Sequence, residues 1–142
     1  MIRFNFEDAK ESLPVKNGRY NLTVTAAEVK QSGEKSKNPG RDYLKITLGN
    51  EDDPSAPLIY HSVPLPHETD EKKSADFKTV LLKRFLYAFK VNLPSGEYNA
   101  DDLTFKLLGA RGYVEVKQGT PTDSGDVYNE LVLGKVPNEP GR

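Results

Sequence analysis

Apolar and polar residues alternate along residues 18–30, 42–48 and 112–117, as they do in strands with one face buried and one face wet. In the first stretch Tyr20, Leu22, Val24 and Ala26 share one face, while Asn21, Thr23 and Thr25 share the other. The alternation slips at Ala26 and Ala27, after which Ala27 and Val29 take the apolar phase; a bulge bending a long first strand has this effect. In the second stretch Leu44, Ile46 and Leu48 point inward, leaving Tyr43, Lys45 and Thr47 outward. Residues 58–63 read as a third strand in which either Tyr60 or His61 faces out. In the fourth, Val114 and Val116 are inward and Tyr113, Glu115 and Lys117 outward, and residues 127–136 supply a fifth strand.

A different period governs residues 74–90, where Phe77, Val80, Leu81, Phe85, Ala88 and Phe89 recur at three- and four-residue steps. This predicts a helix capped by Ser74 or Asp76, with its apolar side on the sheet and Lys78, Lys83, Arg84 and Lys90 mostly on the other side. Pro94 and Gly96 follow its end, and Asn99 is placed to cap a second short helix over residues 100–103. Residues 1–17 read as an N-terminal arm packing through Phe4, Phe6 and Leu13, and 137–142 as a short flexible tail. Three strands, a helix and two further strands are the element order of an oligonucleotide-binding (OB) barrel. The fold class expected is therefore all-β with one main helix: a five-stranded OB-fold barrel over one domain, residues 1–142, with the helix between strands three and four.

Composition narrows the function classes. The chain has no Cys, which excludes disulfides, thiolate metal sites and a cysteine nucleophile. It has no apolar run of signal-peptide length at its start and none of the roughly 18 residues a membrane span needs. The expectation is a soluble cytoplasmic protein with no membrane association. The net charge of -1 conceals a gradient: residues 1–50 carry nine Lys or Arg against six Asp or Glu, and residues 51–76 two against seven. Within the basic part, Lys30, Lys35, Lys37, Arg41 and Lys45 face only Glu34 and Asp42, a patch suited either to phosphates or simply to a solvated loop.

OB barrels commonly bind ligands on the face of strands two and three, framed by the loops after strands one and four, here residues 31–41 and 118–126. A flexible nucleic acid strand needs cations for its phosphates and flat rings for its bases. Lys30, Lys35, Lys37, Arg41, Lys45, Arg111 and Lys117 supply the first; Tyr43, Tyr60 and Tyr113 supply the second. Outward tyrosines also strengthen cross-strand pairs in any sheet, so no single ring decides the matter.

His61 and His67 stand at an offset that fits no recognised metal spacing, and Asp52, Asp53, Glu68, Asp70 and Glu71 lie in turn segments without defined spacing. Neither a GxSxG nucleophile elbow nor a phosphate-cradling P-loop occurs. The expectation is no catalytic residue, no metal and no cofactor.

The segments YNLTVTAAEVK (20–30), SKNPG (36–40), LKITL (44–48), LKRFL (82–86), LGARGYV (108–114) and NELV (129–132) form a set of short motifs spread over residues 20–137. Together they resemble a family of small bacteriophage replication and recombination proteins of formerly unknown function, similar to phage single-stranded DNA-binding proteins. The resemblance implies single-stranded DNA as ligand and phage or host replication and recombination proteins as partners; oligomeric state stays open. Residues 60–62 match no pattern of that family, and the near-neutral 138–142 differs from the acidic, partner-recruiting tails of many such proteins. A protein-binding OB module that never touches DNA is the alternative.

Overall fold

The structure, a computed structural model, describes residues 13–33, 40–92, 99–119 and 127–134. Five strands, β1 (Gly18–Gln31), β2 (Asp42–Asn50), β3 (Ile59–Pro64), β4 (Arg111–Gln118) and β5 (Asn129–Val132), form one antiparallel sheet in the order β3-β2-β1-β4-β5. Two helices, α1 (Lys72–Ala88) and α2 (Ala100–Leu107), lie between β3 and β4. The sheet curls until its two outer strands approach. His61, Ser62 and Val63 of β3 and Leu131 of β5 then line a shared cavity of about 180 Å³, bordered by Leu81 and Arg84 of α1 and by Leu133. This nearly closed barrel, with the main helix between the third and fourth strands, is the OB-like architecture expected.

β1 makes the curl possible by serving two partners. Its first part, Gly18 to Thr23, pairs with β4, and its second, Leu22 to Gln31, with β2. The β1–β2 register shifts between Val24 and Ala26, leaving Thr25 as the extra residue of a bulge. Leu22 and Val24 before the shift are buried, and Ala27 and Val29 after it pack on the core. Ala26, expected inside, is exposed, because the bulge inverts the phase one residue earlier than the sequence pattern suggests.

The interior is filled by Leu22 and Val24 of β1, Leu44, Ile46 and Leu48 of β2, Ile59 and Val63 of β3, and Val114 and Val116 of β4. From the helices come Phe85, Leu103 and Leu107, and Phe89 closes the end of α1. Phe85 and Phe89 stack with ring centroids 4.4 Å apart. Full burial of each such side chain is worth about 1.5–3 kcal/mol, so these two rings anchor α1.

Several expectations are corrected. α1 starts at Lys72 behind Glu71, with no side-chain cap, so neither Ser74 nor Asp76 is the capping residue. Phe77 and Val80 are exposed, because only the C-terminal half of α1 meets the barrel, where Phe85 and Phe89 are buried. Leu13 is 76% exposed rather than packed. β5 is shorter at both ends than expected, since residues 127 and 128 precede the ladder and 133 and 134 follow it. The cap on the second helix matches: the Asn99 side chain accepts the backbone N–H of Asp102 at 2.8 Å, and the helix runs on to Leu107. Phe4, Phe6 and residues 135–142 lie outside the described residues.

Candidate nucleic-acid interface

Cross-strand register decides which side chains share the outer face of β1, β2 and β3. Lys30 pairs with Tyr43 and Tyr43 with Pro64; Glu28 with Lys45 and Lys45 with Ser62; Ala26 with Thr47 and Thr47 with Tyr60. These three rows alternate with the buried rows of Leu44, Ile46 and Leu48, so the period of two puts every one of them outside. The facing of the third strand is thereby settled: Tyr60 is outward and 56% exposed, and His61 is inward.

The Lys45 ammonium lies 5.0 Å from the centroid of the Tyr60 ring, a cation over an aromatic face. Lys30 lies 3.6 Å from the carboxylate of Glu28. The face thus offers two cations and two rings, Lys30, Lys45, Tyr43 and Tyr60, against one acid. Glu28, Thr47 and Ser62 also belong to it. Alternation along β2 already places Thr47 outward; Glu28 and Ser62 escape a count of cations and aromatics, and the register is the signal that finds them.

The other expected residues separate from this group. On β4, Arg111 lies opposite Thr23 and Tyr113 opposite Asn21, so they occupy the β1–β4 side of the barrel. Arg111 Nε is 3.1 Å from Glu51, which also accepts the Thr23 hydroxyl, and Lys117 is 3.9 Å from Glu130. Asp52 accepts the backbone N–H of Asn21 at 2.8 Å and its side-chain amide at 3.0 Å. Those hydrogen bonds, the side-chain one first, hold the Asp52 carboxyl below its ordinary range. The acidic turn after β2 therefore stands beside Arg111 and satisfies it, while Lys117 at the other end of β4 is met by Glu130 of β5.

Arg41 does not join the outer patch. Its guanidinium donates to the Thr69 hydroxyl at 2.8 Å and lies 3.6 Å from Asp70, tying the start of β2 to the segment before α1. Asp70 also receives Lys78 at 2.7 Å and the backbone N–H of His67 at 2.9 Å. The Lys78 hydrogen bond, then that from His67, lowers its pKa. Proximity in sequence to four lysines concealed this structural role. Lys35 and Lys37 lie outside the described residues, as does most of each framing loop.

His61 stacks on Phe85, with centroids 5.6 Å apart and ring planes 13° from parallel, and burial pushes its pKa down. His67 Nδ1 is 2.7 Å from the Thr69 hydroxyl. Among the described residues no group of three His, Asp or Glu side chains is placed to hold a metal ion, and no helix is long and apolar enough to cross a membrane. No family model matches the chain, and no curated protein matches it.

Proposed function

We propose that this protein binds single-stranded DNA without strong sequence preference, on the outer face of β1, β2 and β3. The observation that carries the reading is the Lys45–Tyr60 pair, flanked in register by Tyr43 and Lys30. Tyrosine faces accept any base, and ammonium groups take the phosphates between bases. No catalysed reaction is part of the proposal. The resemblance to phage replication and recombination proteins supports a place in such a module in the host cytoplasm, with replication or recombination proteins as partners.

The test is titration of fluorescent oligo(dT) at two salt concentrations. Binding is expected to weaken with salt at a slope of about -0.7 per phosphate contact, and Tyr43→Ala combined with Lys45→Ala is expected to reduce affinity. Absent or salt-insensitive binding overturns the reading.

A second reading, a protein-docking module that does not touch DNA, draws support from the pairing of Lys30, Arg41, Arg111 and Lys117 with carboxylates. The same titration separates the two.

A further inference from the structure

The backbone of Lys90 is the one left-handed non-glycine position among the described residues, with φ of 55°. It follows the C-cap Phe89. Lys90 N–H bonds to Tyr87 O at 3.2 Å and Val91 N–H to Leu86 O at 2.9 Å, the paired bonds of a Schellman turn. Glycine is the usual occupant of this position because it has no Cβ to clash, so a lysine here runs against local backbone preference.

Strained non-glycine residues cluster where function needs a side chain in place. Lys90 borders a cleft of about 460 Å³ between the end of α1 and the β1–β4 sheet, which continues past β5 to Leu133 and Gly134. Arg19, Arg84, Tyr87, Tyr113 and Glu115 share its lining. Tyr87 and Tyr113 are each 59% exposed. Arg19, Arg84 and Lys90 make no ion pair among the described residues, which leaves three cations against one carboxylate. The Nε of half-buried Arg84 is itself buried and has no hydrogen-bond partner. Three cations without an ion pair among the described residues and two open tyrosine rings around one concavity suit a ligand with a flat aromatic ring and a phosphate.

We propose that this cleft is a second nucleotide subsite, in which Tyr87 and Tyr113 contact one base of a bound strand and Arg19, Arg84 and Lys90 take its phosphate. The proposal rests on single-stranded DNA as the ligand and extends its footprint. By strand spacing and rise, Tyr113 lies on the order of 20 Å across the sheet surface from Tyr60, so one strand reaching both must pass over several strands of the barrel.

Lys90→Gly provides a test that does not depend on a fragile variant, because glycine adopts the left-handed backbone freely and the thermal midpoint should stay at or above that of the unsubstituted protein. Affinity for oligo(dT) of about 16 nucleotides is measured by anisotropy across a salt series, with dTMP titrated in parallel through tyrosine fluorescence. Expected are an affinity loss of about fivefold or more in Lys90→Gly and in Tyr113→Leu, and a salt slope flattened by about 0.7 in Lys90→Gly alone. Unchanged affinity and slope in both variants, with the oligonucleotide still bound, overturn the subsite and leave the proposed function standing. Failure of the unsubstituted protein to bind the oligonucleotide overturns both. Binding of dTMP without binding of the oligonucleotide identifies a free-nucleotide pocket and overturns the strand subsite.

Discussion

The side chain of Asn129 pairs with the backbone of Val15 on both sides of one residue: Oδ1 accepts the Val15 N–H at 2.9 Å, and Nδ2 donates to the Val15 carbonyl at 3.0 Å. An amide is the only uncharged side-chain group that can mimic a peptide in this way, and Asn129, at the start of β5, is nearly fully buried. It joins the segment before β1 to the last strand. Asn129→Ala leaves the Val15 N–H without a partner and its carbonyl with only the 3.2 Å bond from Gln118 Nε2, and should destabilise the fold by about 1–3 kcal/mol, read as a lower urea midpoint at unchanged slope.

The Lys45–Tyr60 contact should appear as coupling in a double-mutant cycle. With Lys45→Met and Tyr60→Leu, the interaction is expected at about 0.5–1 kcal/mol and should survive moderate salt better than the Lys30–Glu28 ion pair. Coupling indistinguishable from zero would remove the pair as an organised feature of the face.

Acid should weaken the fold in two separate windows. Burial lowers the His61 pKa, so its neutral form is favoured in the native state, and the stability this supplies is complete above the unfolded value near 6.5. It is lost as pH falls from there through the lower folded pKa. Asp70, lowered by Lys78 and His67, keeps its contribution above the ordinary carboxylate value and loses it at still lower pH, through its own folded pKa. Denaturation followed against pH should show the upper step disappear in His61→Phe and persist in Asp70→Asn.

Gly112 marks the closest approach of β4 to α1. A Cβ there would stand 2.7 Å from the Ala88 carbonyl oxygen and 3.2 Å from Phe89 Cδ2. Because the nearest atom is backbone, relief requires the helix to move. Gly112→Ala is therefore expected to cost about 1–3 kcal/mol in thermal or urea unfolding, whereas Gly33→Ala, with open space around it, should be close to neutral.

The strands were legible in the sequence because a wet face and a dry face alternate with period two, which gave the outward Tyr43, Lys45, Tyr113 and Lys117 correctly. The third strand was not, since Tyr60 and His61 are both amphipathic; only its register with Thr47 and Ile46 assigns them. Arg41 was misplaced for a different reason. Its partners Thr69 and Asp70 lie 28 and 29 positions downstream, where no local pattern links them. The cleft at the end of α1 was missed altogether, because Arg84 and Lys90 look like ordinary solvated helix positions until the tertiary fold brings Arg19 and Tyr113 beside them. The spacing rules describe one element at a time, and this group is drawn from three.

The double duty of β1 also has a kinetic consequence. Its pairing with β2, and that of β2 with β3, join segments close in the chain, whereas its pairing with β4 closes a loop that includes both helices. Closing the longer loop is entropically costlier, so the β1–β2–β3 meander is expected to organise first and the β4 contacts to form late. On that order, truncating Ile46 or Val63 should slow refolding, while truncating Val114 or Val116 should chiefly hasten unfolding.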